Sequence, residues 1–254
     1  MAAAGRVGTF ESTLPITSLT LGQFRGGKAV RVVALFALVP ILFAGIYLLD
    51  DSVATRTEYL NALFLQIVAP TVLPIATLIL ATTAIGNEIE DRTMIYLVLK
   101  PIRRLRIILE KYLAVVLTGT LVLGAGSLVA AALVLGGDTT GHPRSIIALL
   151  VATLVGVAGY GGLFMAVSLL IPRALLVGIM YTVIWETLFA RFIPGIRLVS
   201  VRHYTQSVYY RIADTREVDV RQAFQLVPAL LVIAALVVLV LGLATWRLRT
   251  MNLE

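Results

Sequence analysis

Apolar residues gather into six long runs separated by short polar stretches. The runs are Val32–Leu49, Tyr59–Ile85, Ile107–Leu135, Ile146–Ile171, Ala174–Phe192 and Leu226–Trp246. Each approaches or exceeds the ~20 residues that a helix needs to cross a hydrocarbon core. The pattern predicts an all-α membrane protein with six transmembrane helices in one domain, residues 1–254. Three polar segments punctuate it: a lead-in at 1–31, a connection at 86–106 and a third segment at 191–225. The third and fourth runs are long, which predicts tilt or extension beyond the bilayer.

Within the runs, prolines and glycines mark special positions. Pro70 and Pro74 interrupt the second run. Each lacks a donor, so that helix should bend and face the protein interior, where neighbours can satisfy the freed carbonyls. Gly156, Gly159, Gly161 and Gly162 lie in the fourth run. Their small-xxx-small spacing predicts close helix packing, within one chain or across a dimer.

Basic residues orient the spans. Threaded as six crossings, the N-terminal side holds thirteen of the 21 lysines and arginines. The short connections on the other side carry only Arg56 and Arg144, although Arg191–Arg221 carries six more. The positive-inside rule therefore places both termini in the cytoplasm. The lead-in lacks the early apolar core and cleavage site of a secretory signal, so it is expected to be retained. Leu21, Phe24 and Arg25 can share the flank of an interfacial helix, or the stretch is a loose lead-in. Gly26-Gly27 breaks such a helix before the first span. In the last polar segment, Pro194-Gly195 signals a turn, and apolar residues then recur among arginines. Short amphipathic helices at the outer interface, dipping partly inward, fit that pattern.

Composition narrows the class. The chain is 59% hydrophobic and 14% charged, with mean hydropathy +0.96. A soluble fold of 254 residues could not bury so much apolar surface. The net charge of +7 then reads as loop arginines facing anionic headgroups, not as a nucleic-acid surface. No cysteine is present, which excludes disulfides and thiolate metal sites.

The connection GNEIEDRTMIYLVLKPIRRLRIILEK, Gly86 to Lys111, carries the densest charge. Asn87 suits an N-cap, and Glu90 stands where a capping box places an acid. Glu88, Glu90 and Asp91 favour the positive end of the helix dipole. Ile89, Thr93, Tyr96, Leu97 and Lys100 form one mostly apolar stripe. Pro101 ends the helix, and Arg103, Arg104 and Arg106 return the chain to headgroup depth. Such a helix either docks in a groove of a soluble partner or rests on the bilayer.

Glu88-x-Glu90-x-Arg92-Thr93-x3-Leu97-x3-Pro101-Ile102-x-Arg104, followed by Lys111, resembles the connection after the second span of ABC transporter permeases of the type-2 exporter class. The run from Tyr181 through Trp185-Glu186 to Pro194-Gly195-Ile196-Arg197 and Ser200-Val201-Arg202-His203-Tyr204 is similar to the fifth span and outer segment of the bacterial branch. The lead-in Gln23-Phe24-Arg25, with Pro40 in the first span, also fits. The resemblance implies six spans, both termini inside a bacterial inner membrane, and a coupling helix at Asn87–Lys100 with Glu88, Glu90, Arg92, Thr93, Tyr96, Pro101 and Arg104 at the ATPase contact. It implies two copies of a separate ABC ATPase, a second permease copy, and re-entrant helices within Arg191–Gln225.

The chain shows no catalytic set of its own. It has no G-x-x-x-x-G-K-[ST] phosphate loop, so ATP and Mg are expected in the partner subunit. His142 and His203 have no neighbours at ligand spacing, so no metal or cofactor site is expected. Glu186 reads as the one acid inside a span, ~18 Å into the fifth helix at 1.5 Å per residue. It is either a gate or an anchor for the outer helices through Arg191, Arg197 or His203. Spans rich in Leu, Val, Ile and Ala suit amphipathic or lipophilic cargo. The competing function is a non-transporting scaffold that recruits a soluble protein through the same cytoplasmic helix. A secondary transporter would show inverted repeats and midplane ionisable groups.

Overall fold

Where the hydropathy of the chain breaks, its helices break. The computed structural model describes residues 15–49, 55–86, 103–138, 140–171, 173–189, 200–214 and 223–250. Every regular element among them is helical: α1 (Pro15–Gly26), α2 (Lys28–Leu49), α3 (Arg56–Gly86), α4 (Arg104–Val134), α5 (Pro143–Leu170), α6 (Ala174–Met180 continued by Tyr181–Phe189), α7 (Val201–Ala213) and α8 (Leu226–Thr250). Four apolar runs start about one turn earlier than hydropathy alone suggests, at Lys28, Arg56, Arg104 and Pro143. Long basic side chains extend a helix this way because their stems lie on apolar surface while their heads reach water.

Among the described residues, five helices are long and apolar enough to cross a bilayer: α2, α3, α4, α5 and α8. The fifth run, expected as the fifth of six spans over Ala174–Phe192, is the shorter α6, and its apolar stretch Ala174–Trp185 falls below that length. From Pro15 the lead-in is a helix that stops at Gly26, with Gly27 N–H donating to Phe24 O at 3.1 Å. A Cβ at Gly27 would stand 2.7 Å from Gln23 O, so only glycine fits that corner.

The most buried of the long helices is α3, and α2 and α8 are the most exposed. Leu35, Leu38, Leu42 and Ile46 of α2 and Leu231, Val238 and Leu239 of α8 point outward, as lipid-facing side chains do. Around α3 the bundle closes through α2 on α4, α4 on α5, and α5 on α3, α7 and α8.

Both prolines of α3 are buried, and the helix runs through them without a break. It does so by widening to π-helical turns at Phe64–Val72 and again at Thr82–Gly86. In an i→i+5 ladder the carbonyl of Leu65 faces the nitrogen of Pro70, which has no hydrogen. Gln206 of α7 supplies the missing donor, Nε2 to Leu65 O at 2.6 Å.

Candidate functional site

The first two turns of α4 gather the ends of three other helices. Arg104 Nη1 donates to Leu248 O of α8 at 2.8 Å. Glu110 Oε2 accepts from the first backbone amides of α1, Ile16 N at 2.7 Å and Thr17 N at 3.1 Å. Thr17 Oγ1 donates to Glu110 O at 3.1 Å. Lys111 Nζ donates to Ala84 O in the last turn of α3 at 2.7 Å.

Glu110 and Lys111 are both buried, 3% and 1% exposed. A buried charge is tolerable only with partners. Glu110 has three donors, since Arg106 Nε also reaches Oε1 at 2.6 Å. Its carboxylate fills the place of an N-cap from 94 residues away, satisfying two orphan amides and opposing the positive end of α1. A hydrogen bond to a charged group contributes about 1.5–3 kcal/mol. The expectation that Glu186 is the sole acid inside a span is therefore corrected: Glu110 lies within α4 and is the one whose partners are visible. An adjacent acid and base inside an apolar run was the sequence signal for it.

The contact along the middle of α5 is built differently. There α7 runs antiparallel along α5: Val201 lies against Gly159, Thr205 against Gly156, and Asp214 beside Arg144. The Val201 end sits about 24 Å along α5 from Pro143, at 1.5 Å per residue. A Cβ at Gly159 would stand 2.8 Å from Val201 Cγ1, and one at Gly156 would stand 3.0 Å from Leu73 Cδ1 and 3.1 Å from Thr205 Cγ2. Gly162 faces Tyr112 and Val237 at ordinary contact distance. The close partner of Gly156 and Gly159 is thus within the chain. His203 is buried against Phe224, ring centroids 5.4 Å apart, and its amide takes the Ser200 Oγ cap at 3.2 Å. Tyr209 stacks on Phe64 at 4.3 Å and donates to Asn61 Oδ1 at 2.9 Å. Burial pushes the Tyr209 hydroxyl well above its ordinary pKa, so it remains a neutral donor.

Residues 87–102, with Glu88, Glu90, Arg92, Thr93, Tyr96 and Pro101, lie outside the described residues, as do Arg197 and the side chain of Glu186. Arg104 is the member of that set which the structure places, at the head of α4. The described residues on either side of it are both tied through α4, Ala84 near the end of α3 by Lys111 and Arg104 to Leu248.

A family model of ABC-2 family transporter proteins matches residues 27–196. The chain belongs to this family. The match takes in α2 to α6 and the stretch that joins α3 to α4. No curated protein matches the chain. The ABC-2 protein is accordingly a multi-pass membrane component of an ABC transporter, a permease associated with an ABC ATPase.

Proposed function

We propose that this ABC-2 permease is the membrane half of an ATP-driven exporter, a single domain that moves amphipathic or lipophilic cargo. A separate ATPase, present in two copies, does the hydrolysis, and a second copy of this chain completes the path. Asn87–Lys100 is the coupling helix that meets the ATPase through Glu88, Glu90, Arg92, Thr93 and Tyr96, with Pro101 and Arg104 at its return. The observation that carries this reading is the double rooting of that segment, at Ala84 by Lys111 and at Leu248 by Arg104. A segment tied at both roots transmits displacement to α3, α4 and α8 together instead of absorbing it.

On this reading α6 extends to complete a sixth span, both termini are cytoplasmic, and the membrane is the bacterial inner membrane. The α1 helix lies at the inner interface, held by Glu110. The Arg191–Gln225 segment is external, and α7 dips from the outer surface to the depth of Gly159. Glu186 and Arg197 anchor that segment beside His203. The test is co-purification of the tagged chain from its native membranes, followed by reconstitution with the recovered ATPase. Glu88→Ala with Glu90→Ala should lower permease-dependent ATPase stimulation about tenfold, a loss of ~1.4 kcal/mol of coupling. Wild-type stimulation in that variant, or no nucleotide-hydrolysing protein on the column, removes the reading.

A further inference from the structure

The last turn of α3 is wide where an ordinary helix would be tight. Thr82–Gly86 forms an i→i+5 turn, and it is buried almost throughout. No proline lies within it to force that geometry. Side chains hold it instead. Thr82 Oγ1 donates to Leu78 O at 2.8 Å and to Ile79 O at 3.2 Å, and Thr83 Oγ1 donates to Ile79 O at 2.7 Å. Thr82 N–H reaches the same two carbonyls, and hydroxyls that share a carbonyl with a backbone amide loosen the ladder where the wide turn begins. From the other side, Lys111 Nζ reaches Ala84 O at 2.7 Å.

We infer that Lys111 is a positioning residue that sets the rotational register in which α3 delivers the chain beyond Gly86. An α-helix turns 100° per residue, and a π turn holds about one residue more than an α turn. Rewinding Thr82–Gly86 to α would therefore rotate everything after it by about 100° and place Ile85 where Gly86 now stands. Lys111 is the catch because its charged side chain joins this turn to α4. The inference rests on the exporter reading only for what the rotated segment touches. The register itself is a property of α3 and α4.

The register can be read by disulfide trapping, because the chain contains no cysteine of its own. A Cβ at Gly86 would lie 3.9 Å from Ser168 Cβ, inside the ~3.5–4.5 Å that a disulfide requires. The full chain in lipid nanodiscs, carrying Gly86→Cys with Ser168→Cys, should cross-link readily under mild oxidant. Adding Lys111→Met should lower that yield about tenfold and raise the yield of the Ile85→Cys with Ser168→Cys pair, while Lys111→Arg should restore the original pattern. An unchanged 86–168 yield in Lys111→Met overturns the inference. So does loss of both cross-links, which would make Lys111 simple glue. Should Lys111→Met fail to fold, Thr82→Val with Thr83→Val carries the same test: a shift from pair 86–168 to pair 85–168 supports the catch and an unchanged pattern overturns it. No ATPase is present in this assay, so its failure is distinct from failure of the exporter reading.

Discussion

Two joints in the bundle hold their helices together by opposite means. At the head of α4, charged side chains reach across to backbone groups of α1, α3 and α8. Along α5 and α7, glycines remove side chains so that backbones approach and apolar atoms touch. The first kind of joint is directional, with bonds that are made or lost as units. The second is a matter of fit, and it grades with volume. On the exporter reading, discrete ties suit the joint that receives a displacement, and close packing suits the joint that holds α7 in place.

The sharpest way to break the contrast is Glu110→Ala. It leaves the amides of Ile16 and Thr17 without their acceptor and Arg106 without its partner. We expect a loss of about 3 kcal/mol in SDS-titration stability, since uncompensated buried polar groups dominate such losses. Trypsin should then cut faster after Lys28, because α1 is no longer clasped. Glu110→Gln keeps the shape and one acceptor oxygen and should lose about half as much. Equal stability of Glu110→Ala and wild type would mean that the tie is ornamental.

Gly156→Leu probes the other joint. The new side chain has to displace Leu73 and Thr205, which stand about 3 Å from where its Cβ begins. Overpacking of this kind costs about 2 kcal/mol. Neither Leu73 nor Thr205 is among the partners of the α1 clasp, which should be untouched. The double variant with Glu110→Ala should therefore be additive within about 0.5 kcal/mol in the same titration. A larger coupling would show that the two joints communicate through the static packing.

Much of the architecture was legible in the sequence because hydropathy alone fixes where a helix can leave lipid. The helix ends at Leu49, Gly86, Val134 and Leu170 fall within a residue of the expected ones. α1 stops at Gly26 as the Gly26-Gly27 pair suggests, and Gly27 is the one that the corner requires. What was not legible depends on partners distant in the chain. Glu110 reads locally as one more charge near a span entrance, and nothing near it announces α1, 94 residues away. The close approaches at Gly119 to Val157 and at Gly126 to Ala37 look like ordinary glycines in an apolar run. The π turns were hidden for another reason: Pro70 signals a disturbance, but only Gln206, far along the chain, shows how it is repaired.

The smallest effect sharpens the comparison most, because Tyr209 combines both kinds of joint. Its ring packs on Phe64 while its hydroxyl donates to Asn61. Tyr209→Phe keeps the packing and removes only the bond, so it should cost about 1 kcal/mol near neutral pH. The titration adds a second readout. Burial raises the Tyr209 pKa, so the folded state favours the protonated phenol. Its contribution is fully present below the ordinary tyrosine value of about 10 and is lost as pH rises through the folded value. Tyr204 is shifted in the same direction, so the difference between variant and wild type isolates Tyr209. Stability of the wild type should therefore fall more steeply than that of Tyr209→Phe above about pH 10, closing the gap between them. Parallel alkaline limbs would mean that the hydroxyl reaches water. The contact between α7 and α3 would then be held by fit alone.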